Sequence, residues 1–183
     1  MPQTVLITGC SKGIGMATAN YFHSKGWNVA ATMRKPQNNH PLNALEHTAI
    51  FPLDVTRQES ISLAVNSIIN RFGQIDVVVN NAGYGAMGPF EAAEPEQIQK
   101  QINTNIMGVM MVTQEIIPIF RAQKSGIVIN ISSVGGRMTF PLYSIYNASK
   151  WAVEGFSEAL TYELRPFNIQ IKIIEPGPIH TDF

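Results

Sequence analysis

Tyr146 and Lys150 form a pair whose types and spacing suit proton-transfer chemistry. They lie in a segment with helical character, residues 143–165, and residues four apart share one face of a helix. A free tyrosine titrates near pH 10, but an ammonium about 4 Å away lowers the pKa of a phenol by at most roughly three units. The pair predicts a general acid or base, although the same spacing also occurs on helices without catalytic roles. Ser133, at the end of an apolar run, is expected to hydrogen-bond a substrate oxygen.

A glycine-rich segment, Thr8 to Gly15, has the spacing Gly-x-x-x-Gly-x-Gly and follows the first apolar run of the chain. Glycines permit a tight turn and let backbone N–H groups approach a diphosphate, and a helix start adds free donors and partial positive charge. A strand–helix turn that needs glycine only for packing has the same composition. The position after strand one of an alternating chain favours the dinucleotide interpretation. Cys10 is interpreted as a packing residue.

The residues after the second predicted strand bear on which dinucleotide binds. No carboxylate follows that strand to hold ribose hydroxyls, and Arg34 stands there instead, with Lys12 as a second cation in the glycine loop. Guanidinium groups form paired hydrogen bonds to phosphate, so NADP(H) is predicted over NAD(H). The alternative is two solvated surface cations. Asp54 is expected to accept a hydrogen bond from the adenine amine, to cap a helix that begins near Thr56, or to do both.

Short apolar runs alternate with helical segments along the whole chain. Strands are predicted at 5–8, 28–33, 49–53, 75–80, 126–132 and 169–175, and helices at 13–25, 57–72, 95 to about 121, and 143–165. Several strands are apolar on both faces, which a parallel sheet between two helical layers requires. The pattern predicts one domain, residues 1–183, with a Rossmann-like doubly wound parallel α/β sheet of about six strands.

The composition argues against several classes of function. Thirteen basic residues balance thirteen acidic ones without a basic stripe, so nucleic acid is not an expected partner. A single cysteine, no signal-peptide pattern and no apolar run long enough to span a bilayer predict a cytoplasmic protein. The four histidines, at 23, 40, 47 and 180, lack metal-ligand spacing and are expected at the surface or in loops.

Taken in order, these motifs resemble the short-chain dehydrogenase/reductase family, in the subgroup with Thr-Gly-x-x-x-Gly-x-Gly and Tyr-x-x-x-Lys. The resemblance runs from Val5 to Thr181. It implies that the catalytic residues are Asn105, Ser133, Tyr146 and Lys150. Asn105 resembles the asparagine that kinks the long helix and holds a proton-relay water. The implied reaction moves a hydride between the nicotinamide and a carbonyl or alcohol carbon, while Tyr146 carries the proton and no metal takes part.

The resemblance also implies a set of cofactor contacts. They are Gly9, Ser11, Lys12, Gly13, Ile14, Gly15, Arg34, Asp54, Val55, Asn80, Asn81, Ala82, Gly83, Tyr146, Lys150, Pro176, Gly177, Ile179 and Thr181. Asn80 to Gly83 resemble the segment that steadies the sheet and lines the adenosine ribose, and Ile179 and Thr181 match contacts to the nicotinamide carboxamide. Lys12 and Arg34 match the basic positions of NADP-preferring members. The strings at 31–34 and 133–136 resemble members that act on bulky, apolar carbonyls.

The sequence departs from the family pattern at its end. Family chains continue beyond the Pro-Gly segment with a substrate lid and a last strand, and this sequence stops at Phe183. The alternative expectation is therefore a truncated, non-catalytic domain that binds NADP(H) or a partner. Extra apolar residues on the last two helices, Met110, Met111, Trp151 and Phe156, predict a homodimer or homotetramer, with packing against the sheet as the other interpretation.

Overall fold

The computed structural model describes residues 2–179 and contains one parallel sheet in the order β3-β2-β1-β4-β5-β6. In chain order the strands are β1 (Thr4–Ile7), β2 (Asn28–Met33), β3 (Thr48–Pro52), β4 (Val77–Asn80), β5 (Gly126–Ile131) and β6 (Ile169–Ile174). Strands β1, β2 and β4 are buried along their whole length, as strands covered on both faces must be. The predicted Rossmann-like doubly wound sheet is confirmed.

Helices connect successive strands. The α-helices are α1 (Gly13–Ser24), α2 (Gln58–Phe72), α3 (Pro95–Ile102), α4 (Gly108–Gln123) and α5 (Ser144–Leu164). Single turns of 3₁₀-helix occur at Pro41–Ala44, Phe90–Ala92, Val134–Gly136 and Arg165–Phe167. The helical stretch predicted as continuous from 95 is divided by a π-helical turn, Asn103–Met107, which contains Asn105. Within residues 2–179, no helix is both long and apolar enough to cross a membrane.

Two apolar layers hold the sheet. The larger one packs α2, α4 and α5 against one face, through residues such as Ile68, Phe120 and Leu160. The smaller one packs α1 and the Pro41–Ala44 turn against the other face, through Ala19 and Leu42. Because β1 and β4 are neighbours from which the chain winds outward in opposite directions, a crevice is expected at their carboxyl ends.

The apolar residues that predicted self-association divide between two environments. Met111 and Phe156 pack against the larger core layer, as the alternative interpretation required. The indole of Trp151 is 51% exposed, and Met107 at the start of α4 is 43% exposed. Part of this helical face is therefore core, and part of it is accessible.

Candidate active site

The glycine loop is fixed between the ends of β1 and β4. Gly9 has φ +74°, and a Cβ at Gly15 would overlap the Gly9 carbonyl. The Asn81 amide donates to the carbonyl oxygens of Thr8 and Gly9, at 2.8 and 3.1 Å. The hydroxyl of Thr8 in turn accepts from the backbone N–H groups of Asn81 and Ala82, at 3.0 Å each. Asn81 therefore shapes the loop with its own side chain.

The start of α1 suits a diphosphate. Its N-cap is Lys12, in extended conformation, and no side chain caps the helix. The amide groups of Gly13, Ile14 and Gly15 are thus the first-turn donors that an anion would meet, and Ser11 is exposed beside them. The loop fits the phosphates of a dinucleotide in both backbone conformation and charge.

The Gly15→Ala variant is expected to lose about 2–3 kcal/mol of unfolding free energy, because its new methyl group displaces the Gly9 backbone. The matched control is Gly155→Ala in α5, where an added Cβ has no neighbour within 4 Å. That change should raise the unfolding free energy by about 0.5–1 kcal/mol through helix propensity. Urea denaturation measures both, and equal stabilities for the two variants would contradict the packing argument.

Cys10 is a packing residue, as predicted. Its thiol is buried and lies 3.3 Å from the carbonyl oxygen of Ile7. Burial raises the pKa of this thiol to about 12, so it stays protonated and unreactive at neutral pH.

Arg34 and Asp54 occupy one corner of the crevice, beyond β2 and β3. The Asp54 carboxylate accepts from the Thr56 N–H and hydroxyl, at 3.0 and 2.7 Å. Burial opposes its ionisation, but the Thr56 hydrogen bonds and the charges of Arg34 and Arg57 lower its pKa overall. The capping interpretation was wrong: α2 begins at Gln58 with Arg57 as N-cap, and Asp54 closes the turn before it.

His40 has a structural role that was not predicted from the sequence. It lies in a loop, as expected, but only 8% of it is exposed. Its Nε2 is 3.2 Å from the Ser11 carbonyl oxygen, and its Nδ1 accepts from the Leu42 N–H at 3.3 Å. His40 thereby ties the Pro41–Ala44 turn to the glycine loop. The available signal was a polar residue directly before proline, which is a typical helix-capping position.

Asn80 has its side chain in the protein core. Its Nδ2 donates to Thr113 Oγ1 at 3.0 Å and to Asn130 Oδ1 at 2.8 Å, and Asn130 donates to Ser157 Oγ at 2.8 Å. This buried ladder joins β4 and β5 to α4 and α5. The Asn80 Nδ2 is therefore used inside the protein, where it positions the strands, and the predicted contact of Asn80 with the cofactor stays a prediction.

Asn105 connects the π-helical turn to α5, the helix that carries Tyr146 and Lys150. Its Oδ1 accepts from the Tyr84 N–H at 3.1 Å, and its Nδ2 donates to the Tyr84 carbonyl at 2.8 Å and to Ser149 Oγ at 3.1 Å. A Cβ at Gly83 would lie 3.3 Å from this Oδ1. Val55 lies behind the turn, packed against Gly108.

Ser133, Tyr146 and Lys150 come together at the carboxyl end of β5. Ser133 accepts from the Gly135 N–H at 3.0 Å and hydrogen-bonds the Tyr146 side chain. The Lys150 ammonium donates to the Ile131 carbonyl at 2.8 Å and lies 5.7 Å from the centroid of the Tyr146 ring. The three side chains predicted to act together therefore share one site.

The protonation of this site differs from the sequence expectation. Burial raises the pKa of Tyr146, and the Ser133 hydrogen bond only partly opposes this. Burial also lowers the pKa of Lys150 to about 8, against the opposing charge of Glu154. The prediction of a lowered tyrosine pKa is therefore wrong, because burial of the phenol raises this pKa by more than the Ser133 hydrogen bond lowers it.

Asn147 holds the loop that follows Ser133, and its role was not predicted. Its Nδ2 donates to the carbonyl oxygens of Gly135 and Met138, at 2.9 and 3.1 Å, and its Oδ1 accepts from the Phe140 N–H at 3.3 Å. An asparagine next to a tyrosine in a helix gives no sequence signal for contacts to a loop that precedes the helix.

Comparison with known proteins identifies the family. A model for short chain dehydrogenases matches residues 3–183. The chain belongs to the short-chain dehydrogenase family. An uncharacterized oxidoreductase of Schizosaccharomyces pombe is 47% identical over 151 residues, which are 82% of this chain and 64% of the relative. The 3-ketodihydrosphingosine reductase of Bacteroides thetaiotaomicron is 42% identical over 182 residues, 100% of this chain and 66% of the relative. This short-chain dehydrogenase thus spans about two thirds of the length of these relatives.

Solved structures of other short-chain dehydrogenases have the same fold. ElxO with NADP bound superposes with a TM-score of 0.94 at 32% identity, over 100% of this chain and 76% of ElxO. The 3-ketoacyl-(acyl-carrier-protein) reductase of Brucella melitensis complexed with NADH gives 0.94 at 27% identity, over 98% of this chain and 77% of that one. The relatives therefore include both NADP-bound and NADH-bound proteins.

The segment after β6 passes beside the turn that follows Ser133. The Val134 N–H donates to the Pro176 carbonyl at 3.0 Å. Gly177 follows, and Ile179 is 53% exposed. Thr181 lies outside the described residues.

An apolar groove lies at the start of α5. It has a volume of about 590 Å³, and its lining includes Phe140, Pro141, Leu142 and Trp151. The residues of α5 that line it, among them Ala148 and Trp151, share a helix face that does not include Tyr146. The groove therefore offers apolar contact area at the N-terminal end of α5.

Proposed function

We propose that this protein is an NADP(H)-dependent oxidoreductase that interconverts a carbonyl and an alcohol, with Tyr146 as general acid and base. The observation that carries the proposal is the Tyr146 phenol, hydrogen-bonded to Ser133, with Lys150 one turn further on. These groups and the glycine loop lie at the carboxyl ends of neighbouring strands, because β1, β4 and β5 are consecutive in the sheet. A substrate oxygen near Ser133 would therefore lie within reach of both a proton donor and a dinucleotide.

The protein's own residues have distinct roles in this proposal. The nicotinamide, when bound, supplies or accepts the hydride at the substrate carbon. Tyr146 donates its proton to the substrate oxygen, and its raised pKa keeps the phenol protonated at neutral pH, which suits carbonyl reduction. Ser133 orients that oxygen, Lys150 anchors the nicotinamide ribose, and Asn105 links the lysine to solvent.

The preference for NADP(H) rests on charge at the adenosine end. Arg34 follows β2 and is exposed, and its charge acts on both Asp54 and Tyr84, so the guanidinium lies near the ends of β3 and β4. No carboxylate stands beside it in β2 to bind ribose hydroxyls. Lys12 adds a second cation at the helix start. ElxO, solved with NADP bound, supports this choice.

The substrate in this proposal has an extended apolar body. Aromatic and aliphatic side chains line the groove at the start of α5, and Met87 and Phe90 expose further apolar surface, at 66% and 62%. The reductase of Bacteroides thetaiotaomicron, named for 3-ketodihydrosphingosine, supports a lipid-like carbonyl. We also propose that the exposed face around Met107 and Trp151 pairs copies of the chain.

The cofactor preference is tested by titration with NADPH and NADH, followed by fluorescence. The Arg34→Ala variant is expected to bind NADPH roughly 10–100-fold more weakly, since a charge-assisted phosphate contact is lost, while NADH binding stays within about threefold. Arg71→Ala is the matched control, because this exposed arginine lies in the last turn of α2, at the amino-terminal end of the strands. Equal affinities of the wild-type protein for the two cofactors would reject the preference.

A further inference from the structure

A buried carboxylate lies one helical turn beyond the lysine of the site. Glu154 follows Lys150 by four residues and Tyr146 by eight, so the three side chains form one row along α5. The side chain of Glu154 is 4% exposed. It packs under the Ser133 loop, where a Cβ at Gly136 would lie 3.0 Å from its Cγ and from its Oε1. A carboxylate buried to this degree requires compensating positive charge.

Arg137 supplies charge on the outer side. Its guanidinium lies 3.1 Å from Glu154 and also contacts Glu158 and Glu175, at 3.3 and 2.9 Å. Arg137 directly follows the Val134–Gly136 turn, whose N-cap is Ser133. The Glu154–Arg137 pair thus connects the catalytic helix to the loop that carries the catalytic serine.

Lys150 supplies charge on the inner side. Its ammonium donates to the Ile131 carbonyl of β5 and lies near the Tyr146 ring of its own helix. The Glu154 carboxylate, one turn further along α5, acts on it through its charge, and Arg137 contacts that carboxylate. Burial disfavours the charged form of this lysine, and the charge of Glu154 opposes that effect. The carboxylate therefore has two cationic neighbours, one of them a residue of the proposed chemistry.

We propose that Glu154 is a positioning residue of the active site: clamped by Arg137, it holds Lys150 as an ammonium directed at β5 and fixes the loop of Ser133 against the catalytic helix. The effect of Glu154 on catalysis rests on the proposed function. The effect of its charge on the pKa of Lys150 does not, because it can be measured in the protein without cofactor or substrate.

The test is an NMR titration of Lys150 in the cofactor-free protein labelled with [¹³Cε]lysine, with Lys150→Met identifying the signal. In Glu154→Gln the pKa of Lys150 is expected to fall by roughly one unit from about 8, since a negative charge about one turn away is lost and Arg137 already offsets part of it. Glu158→Gln is the matched control, because Glu158 also binds Arg137 but is 59% exposed. It should leave the pKa of Lys150 within about 0.3 units.

A second variant distinguishes an effect of charge on the pKa of Lys150 from an effect of loosened packing. Arg137→Gln removes a cation that is half exposed, and it should raise the pKa of Lys150, opposite to Glu154→Gln. Loosened packing would instead move both variants in the same direction. An unchanged Lys150 titration in Glu154→Gln, or shifts of the same sign in both variants, overturns the proposal.

Turnover measurements distinguish this inference from the proposed function. In alcohol oxidation, Glu154→Gln should shift the acid limb of the kcat profile to higher pH, because a less protonated lysine stabilises the tyrosinate less. If the Lys150 titration shifts but the wild-type protein oxidises no alcohol, the charge relation holds and the proposed function fails. If turnover proceeds and the titration does not shift, only the assignment of Glu154 fails.

Discussion

The Tyr146→Phe variant is expected to lose at least about a thousandfold in turnover, while its affinity for NADPH changes by less than about threefold. The substitution removes one oxygen atom and leaves the ring, which packs edge-on against Tyr143 with centroids 5.9 Å apart. It also leaves Ser133 and Lys150 in place, and the hydrogen bond from the Gly135 N–H to Ser133 persists. The loss should therefore appear in the chemical step. Nicotinamide absorbance measures it, with aliphatic and polycyclic ketones as substrates.

Tyr143→Phe is the matched control for this experiment. It removes a phenol oxygen from the N-cap residue of the same helix, next to Tyr146. Turnover is expected to stay within about threefold of the wild-type value, because the hydrogen bond to Ser133 belongs to Tyr146, and Tyr143 meets that residue ring against ring. Retention of more than a tenth of wild-type turnover by Tyr146→Phe would reject its role as the proton donor.

The architecture could be predicted from the sequence because its signals are local. Strands such as Val77–Asn80 are apolar on both faces, and each apolar run is followed by a segment of helical period, so a parallel sheet between helical layers was the expected outcome. Element ends moved by one or two residues; β4, for example, begins at Val77 and not at residue 75. There the Asp76 side chain accepts from the Thr4 N–H at 2.7 Å, a contact between distant residues.

The structure brings Ser133, Tyr146 and Lys150 together, as the sequence predicted, but the contacts around them could not be predicted. Spacing places Tyr146 and Lys150 on one helix face, but it does not show how far the phenol is buried. The predicted direction of the tyrosine pKa shift was wrong for that reason, because burial raises this pKa. Contacts that span many residues leave no periodic signal. His40 meets the glycine loop 29 residues away, and Asn80 meets Asn130 50 residues away.

Lys150 is the residue where function and stability are expected to conflict. The Lys150→Met variant should lose turnover, yet at pH 7 it should be more stable than the wild-type protein by about 1–2 kcal/mol. Burial lowers the pKa of Lys150 from 10.5 to about 8, so protonating this lysine costs roughly 3 kcal/mol more in the folded than in the unfolded chain. Methionine has no charge to bury, but the variant loses the hydrogen bond to Ile131 and one cationic neighbour of Glu154, which together reduce the gain.

The pH dependence of that difference identifies its cause. Below pH 8 the lysine is protonated in both the folded and the unfolded chain, so the wild-type protein bears the whole cost of burying the ammonium. Between pH 8 and 10.5 the unfolded chain binds more protons than the folded chain, and the unfolding free energy of the wild-type protein therefore rises with pH. Urea denaturation at pH 7 and near pH 10 should therefore show the advantage of Lys150→Met shrinking or reversing. Lys172→Met, at an exposed position of β6, should stay within about 0.5 kcal/mol of wild type at both pH values. A Lys150→Met protein less stable than wild type at pH 7 would mean that the ammonium is stabilised by its contacts with Ile131 and Glu154 by more than burial opposes it.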